Sequence, residues 1–262
     1  MGRFCSALLA MGAAGACALA GTAGAADLPV PPSNYYPPAA YQPATYNWTG
    51  IYFGGHIGVN FLLDSVRPTA ANPVWPLGSQ VNYNPAGVFG GGQLGANYQF
   101  QQFVIGVEGT ADGSTVSGSR VANSSIPGGT VRPTSAAHFY ATAAGRFGYA
   151  IDTFLVFVKG GGAWMKAENF MDIQSNGVVV STQNIGPFRT GFTVGTGLEY
   201  GMLEHLSARI EYDFYDFGSQ NYVFNNLTAT VPPATTPTAT PIAVNIKSVT
   251  HVFTLGLNYR FN

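Results

Sequence analysis

Cysteine and charge are both scarce in this chain. Its only two cysteines, Cys5 and Cys17, fall near the start, where Arg3 precedes an apolar, small-residue run ending in Ala23-Gly24-Ala25. A positive charge, an apolar stretch and a small-x-small site make the pattern of a secretory signal peptide. Residues 1–26 are therefore expected to be a leader, cut after Ala25 or Ala26. The mature chain then has no cysteine, so no disulfide framework can hold it together in an oxidising compartment. Charged residues make up 9 % of the sequence, against roughly 25 % in an ordinary soluble domain. A soluble surface depends on mixed charge to stay dispersed. Long hydrophobic runs are missing too: none approaches the roughly 20 apolar residues of a membrane helix. A charge-poor chain without membrane helices leaves the closed β-barrel as the structure that can span a bilayer. The net charge of −1 gives no footprint for nucleic acid.

What is present begins with "DLPVPPSNYYPPAAYQPATYN", residues 27–47. Proline there removes donors and fixes φ, so the stretch reads as an extended periplasmic linker. From Trp48 onward, residues 48–262, one pattern recurs: apolar and polar residues alternate in segments separated by turn-rich stretches. Eight segments qualify as strands: Thr49–Leu62, Gly87–Phe100, Phe103–Thr115, His138–Ile151, Phe154–Phe170, Arg189–Met202, Leu206–Gly218 and Val249–Phe261. The last is the clearest. Val249, His251, Phe253, Leu255, Leu257, Tyr259 and Phe261 share one face, and Thr250, Val252, Thr254, Gly256, Asn258 and Arg260 the other. The stretch "WPLGSQVNYN" could add a hairpin and raise the count to ten.

A soluble sandwich would alternate in the same way. The connections decide the matter. Gln101-Gln102, Asp152-Thr153 and Leu203-Glu204-His205 are very short, whereas the others run to roughly 18–30 residues, long for a compact domain. Short turns at one end and long loops at the other are the asymmetry of an outer-membrane barrel, with the short turns in the periplasm. The fold class expected is all-β: an eight-stranded antiparallel transmembrane barrel with short periplasmic turns and long extracellular loops.

Short turns also set register. If Ile151 pairs with Phe154, Arg146 lies opposite Lys159. If Met202 pairs with Leu206, Glu199 lies opposite Arg209. The strand charges fall mainly on the non-lipid face: Glu108, Asp112, Arg146, Lys159, Glu199, Arg209, Glu211, Asp213 and Arg260. A charge at the lipid midplane costs roughly 2–4 kcal/mol per Arg or Lys, while inside a barrel it can be paired. These residues are expected to form an interior charged cluster, with Glu108 or Glu211 neutralising the Arg146/Lys159 pair. Trp48, Phe100, Phe103, Tyr149, Phe154, Tyr200, Tyr259 and Phe261 lie at the short-turn ends and read as a periplasmic aromatic girdle. Trp164, Phe170, Phe192, Phe214 and Phe253 suit the opposite one.

Motifs for chemistry are thin. Gly90, Gly92 and Gly95 satisfy G-x-G-x-x-G, but a dinucleotide fingerprint needs a helix after it, and here alternation continues to Phe100. Glycine instead relieves the crowding of a small, strongly curved barrel. On the inward face, Gly54, Gly58, Gly91, Gly95, Gly195 and Gly197 could leave room for a file of water. His56, His138, His205 and His251 share no metal-ligand spacing. A lipid-acting enzyme would need polar catalytic groups on the outward face, where His251 is the single hint. No catalytic residue, metal or cofactor is expected.

"NWTGIYFGG" near the start, "FVKGGGAW" in the middle and "GLNYRF" at the end resemble the alphaproteobacterial outer-membrane β-barrel family, porin-like major surface proteins related in fold to the OmpA-type barrel. The "AADLP" junction and the Pro/Tyr linker are similar as well. The resemblance implies a structural surface antigen of the bacterial outer membrane, surrounded by outer-membrane lipid and lipopolysaccharide. It also implies insertion by the barrel-assembly machinery through the C-terminal strand, although Asn262 follows the usual terminal aromatic, Phe261. Some members are linked to haemin binding or weak pore activity. The expected function is therefore a plugged structural barrel. A narrow pore for small solutes, or loop-mediated ligand binding, is the alternative. The pattern sets no oligomeric state.

Overall fold

A computed structural model describes residues 46–176, 178–186, 188–230 and 236–261. The expected leader, linker residues 27–45 and Asn262 lie outside the described residues. Eight long strands carry the fold: β1 (Gly50–Pro68), β3 (Ala86–Phe100), β4 (Phe103–Ser119), β6 (Gly129–Ile151), β7 (Phe154–Ser175), β9 (Phe188–Leu203), β10 (Leu206–Phe224) and β13 (Ile242–Phe261). Short strands decorate the far end: β2 (Val81–Tyr83), β5 (Ala122–Asn123), β8 (Val178–Ile185), β11 (Thr228–Ala229) and β12 (Thr238–Ala239).

Each long strand pairs antiparallel with two others. The circuit β1-β3-β4-β6-β7-β9-β10-β13 closes when β13 pairs with β1, from Ile51↔Phe261 to Pro68↔Val244. Closure leaves no unpaired edge inside the wall, which lipid requires. The stretch "WPLGSQVNYN" supplies only β2, which pairs with β1 outside this circuit, so the wall stays at eight strands.

Two-residue turns close one end: Gln101-Gln102, Asp152-Thr153 and Glu204-His205. Gln101 and Asp152 take positive φ, 55° and 52°, which brings the strands round within two residues. The pairing Arg146↔Lys159 follows the Ile151↔Phe154 register. Arg209↔Glu199 also holds, but Leu206 pairs with Leu203 rather than Met202, because a bulge sits between Leu206 and Ser207. At the other end the strands run well past their expected limits. β6 begins at Gly129 rather than His138, and β10 reaches Phe224 rather than Gly218. Much of what alternation left as loop is strand, because Val66, Trp75, Val131, Met171, Ile173, Phe224 and Val244 close over one another in an apolar cap.

Parity sorts the side chains. Ile51 is 58 % exposed and its neighbour Tyr52 is 0 %. Ile57, Leu94, Val107, Val158, Leu255 and Leu257 stand outward in the same way. An outer wall so apolar is stable only where water is excluded. Phe100, Phe103, Tyr149, Phe154, Tyr200, Tyr259 and Phe261 are exposed outward at the short-turn end. Trp48 is not among them. It is fully buried, shares the inward parity of Tyr52, and lies in the lumen against Tyr46, with ring centroids 4.5 Å apart. Position along the strand pointed to the girdle, but parity decides the face. Tyr46 itself, taken as linker, is buried in the same apolar cluster, so the barrel's packing begins before residue 48.

The inward glycines do not leave room for water. A Cβ at Gly95 would meet the Tyr52 ring, one at Gly197 the Phe157 ring, and one at Gly195 the Asp213 carboxylate. Large neighbours already fill the space. A Cβ at Gly58 would strike the Phe253 carbonyl on β13, whereas at outward Gly55 the nearest atom, the Gly91 carbonyl oxygen, is 3.6 Å away. Gly58→Ala is expected to abolish refolding into lipid vesicles and Gly55→Ala to refold like the parent. The folded, heat-modifiable band on electrophoresis measures this, and equal yields would count against the packing described.

Candidate functional site in the barrel lumen

The lumen is filled in layers. At the periplasmic mouth Tyr46, Trp48, Val104, Ala150, Leu155 and Phe157 pack together. The Arg260 guanidinium lies 4.7 Å from the Trp48 ring and 5.1 Å from that of Tyr46, within cation–π range. Burial raises the Tyr46 phenol above its ordinary pKa, with Arg260 opposing.

Above this layer lies the ionic one. Glu108 accepts from Arg209 at 2.5 and 3.3 Å, from Lys159 at 3.3 Å and from Tyr52 at 2.7 Å. Glu211 pairs with Arg209 at 2.8 Å and with Lys159, and Asp213 lies 3.3 Å from Lys159. Arg146 pairs with Glu199 and donates to the Tyr52 hydroxyl at 3.3 Å. Its guanidinium also covers the Phe157 ring at 3.7 Å. Glu199 accepts further bonds from Ser207 at 2.5 Å and Asn258 at 2.9 Å, and lies 3.6 Å from Arg260.

The network then passes from Asn258 to Gln93 (2.7 Å), to His56 (2.5 Å), to Asp112 (2.7 Å) and on to Thr110 (2.8 Å). Every one of the eight wall strands contributes at least one side chain. The charges nearly balance, with Arg146, Lys159, Arg209 and Arg260 against Glu108, Asp112, Glu199, Glu211 and Asp213. An imidazolium at His56, whose two ring nitrogens face Asp112 and Gln93, would make the signs equal.

Over the ions sits an aromatic layer. Phe89 stacks on His56 at 5.9 Å and meets Tyr140 edge-on at 5.6 Å, and Tyr140 adjoins Tyr215 and Phe217. The gap among His56, Phe89, Asp112, Lys159, Arg209, Glu211 and Tyr215 does not admit a water molecule. Farther out, Arg189 donates to Ser248 and Ser248 to Asp64, each at 2.5 Å. The extracellular apolar cap closes the stack.

The structure thus brings together all nine inward charges named from sequence: Glu108, Arg146, Lys159, Glu199, Arg209, Glu211, Asp213 and Arg260 in the ionic contacts, and Asp112 through His56. Glu108, Glu211 and Asp213 surround Lys159, but Arg146 turns to Glu199, a partner across the lumen that hairpin register could not show. Sequence reasoning passed over Tyr52, Gln93, Ser207, Asn258 and the outer Asp64–Ser248–Arg189 chain. The inward parity of each was the available signal. The histidines lie in four separate places: His56 in the lumen, His138 exposed at a bulge in β6, His205 in a periplasmic turn, and His251 on the outer wall bonded to Tyr212 at 2.8 Å. The G-x-G-x-x-G glycines lie within β3, which runs directly into a turn and another strand.

Closed wall, apolar exterior and filled lumen define a transmembrane β-barrel of the bacterial outer membrane. The outer membrane protein beta-barrel domain matches residues 6–261, and the chain belongs to that family. It is 27 % identical over 224 residues to the 25 kDa outer-membrane immunogenic protein of Brucella melitensis, covering 82 % of this chain and 80 % of the relative. It is 28 % identical over 185 residues to the protein of that name from Brucella abortus, covering 68 % of this chain and 69 % of the relative. Among solved structures, the outer membrane protease OmpT from Escherichia coli superposes with a TM-score of 0.50 at 9 % identity, over 83 % of this chain and 98 % of that one. That likeness is one of fold alone.

Removing one member of a buried ion pair strands the other, at a cost of about 3–5 kcal/mol. Glu108→Gln, which leaves Arg209 and Lys159 short of an anion, is expected to destabilise the barrel by about that much. Adding Lys159→Met should recover part of the loss, since the two residues are in contact. Urea unfolding in vesicles would measure both, and additive losses would show that the two do not interact.

Proposed function

We propose that this chain is a closed structural barrel of the outer membrane, without catalytic activity, whose extracellular β-structured end forms the surface the cell presents. The layered filling of the lumen carries the reading. Apolar, ionic, aromatic, polar and apolar levels follow one another, and a permeating solute would have to part all of them. Eight strands enclose an interior just wide enough for side chains to fill, and here they fill it. The Brucella relatives are named as immunogenic outer-membrane proteins, which supports a surface role. The haemin alternative draws no support from four histidines in four environments. By its resemblance to the family, β13, with outward Phe253, Tyr259 and Phe261, is the strand the assembly machinery would engage.

The competing reading is a narrow pore gated by the ionic layer. Planar-bilayer recordings of the refolded mature chain, alone and with Arg146→Ala or Arg209→Ala, separate the two. Silence in all three, with folding verified by heat-modifiability, is the expected outcome. Steady openings in the parent that widen in the variants would replace the structural reading with the transport one.

A further inference from the structure

We propose that the outer rim between β1 and β13 is a docking surface for the phosphorylated headgroup of an outer-leaflet glycolipid. The distribution of exterior charge leads there. Ten lysines and arginines lie among the described residues. Arg146, Lys159, Arg189, Arg209 and Arg260 are buried in the lumen, and Arg67, Arg120, Arg132, Lys166 and Lys247 are exposed outside. All five exterior cations stand toward the long-loop end. The periplasmic turns carry only Asp152 and Glu204. Carboxylates serve both rims, with Glu168, Asp172 and Asp216 outward at the long-loop end, but the exterior cations are confined to one.

Arg67 and Lys247 are placed best. On β1 the outward residues Phe53, Gly55, Ile57, Val59, Phe61 and Leu63 carry no polar side chain, and Ser65 and Arg67 follow. On β13 the outward run from Tyr259 to Val249 is followed by Lys247. Ten residues at about 3.3 Å each, tilted about 40°, span about 25 Å, the height of a barrel's apolar band. Both cations therefore emerge just past the hydrocarbon edge.

Ser65 pairs with Lys247 and Arg67 with Asn245, so the two cations are diagonal neighbours, roughly 7–8 Å apart at the backbone. That is close enough for both to reach one phosphate. Neither makes an ion pair among the described residues. The nearest outward carboxylate, Asp216, lies opposite Val249 and accepts the Gly218 N–H at 2.7 Å.

Uncharged hydrogen-bonding groups flank the pair. Gln80 donates to Ser65 at 3.1 Å and to Asn82 at 2.7 Å, and Asn245 donates to Asn221 at 2.9 Å. Below lie Leu63, Phe61, Val249 and Phe253, a largely apolar track for acyl chains in which the one polar side chain, His251, is engaged by Tyr212 at 2.8 Å. Cations over a track for acyl chains, bordered by amides and hydroxyls, match a lipid with phosphates on a sugar headgroup.

The test is retention of lipid A carrying two phosphates by the full mature chain, refolded in phosphatidylcholine and read by native mass spectrometry. The comparison lipid is the same lipid A with its phosphates removed. The parent is expected to retain the phosphorylated form preferentially. Arg67→Gln/Lys247→Gln should weaken that retention roughly 10- to 30-fold, with an unchanged unfolding midpoint in phosphatidylcholine alone. Arg132→Gln/Lys166→Gln should keep most of it. Should the double variant not fold, the single variants Arg67→Gln and Lys247→Gln are expected to lose several-fold each. Undiminished retention by the variants, or equal retention of the dephosphorylated lipid by the parent, overturns the proposal.

Discussion

A backbone amide in hydrocarbon has no water to bond, and leaving one unpaired costs several kcal/mol. The rest of this structure depends on that constraint. It forces the eight strands to close, and β13 meets β1 over eighteen paired residues, from Ile51↔Phe261 to Pro68↔Val244. Closure at eight strands sets the lumen's width. A narrow lumen between two aqueous spaces must either hold water or be packed with side chains. Here it is packed, and the chain's sparing use of charge follows, since about half its charged side chains are spent inside.

Those charges are costly to bury singly and tolerable only as a set. Within the ionic layer Arg146, Lys159, Arg209 and Arg260 each touch at least one carboxylate, Asp112 meets His56, and Arg189 and Asp64 farther out are joined through Ser248. Phe157 beneath Arg146 and Phe89 above His56 confine the ionic layer between apolar floors. Low local dielectric strengthens each contact. Because the members come from all eight strands, the network is also a check on assembly: a register slip of one residue turns its charge into lipid.

Much of this was legible in the sequence. A period of two says which residues share a face, and short turns tie one strand's numbering to the next. Arg146 opposite Lys159 and Glu199 opposite Arg209 follow from those two rules alone. Contacts across the lumen do not, because they join strands far apart in sequence order. Glu199 reaching Arg146, and Glu108 reaching Arg209, depend on barrel curvature. Trp48 shows where a second criterion misleads: placement near a strand end suggested the interfacial girdle, but Trp48, just before β1, continues that strand's even, inward parity. The inward glycines mislead similarly. Absence of a side chain reads as space, yet Tyr52, Phe157 and Asp213 occupy it. The strand extensions were hidden although Ile242, Val244 and Ile246, and Met171 and Ile173, alternate, because each run is short, is set among Pro, Thr, Asn and Ser, and buries its apolar residues only against partners from other extensions.

By itself, then, the sequence determined the class of solution: export, a bilayer crossed by alternating strands, two unlike ends and charges kept from lipid. Local rules suffice there, since parity and turn length act between near neighbours. Tertiary structure decided the rest: which ion answers which, that the lumen is filled rather than open, and that the outer segments build a capped β-structure. These depend on distances across a closed ring, and no local pattern encodes a distance between strands that are not adjacent.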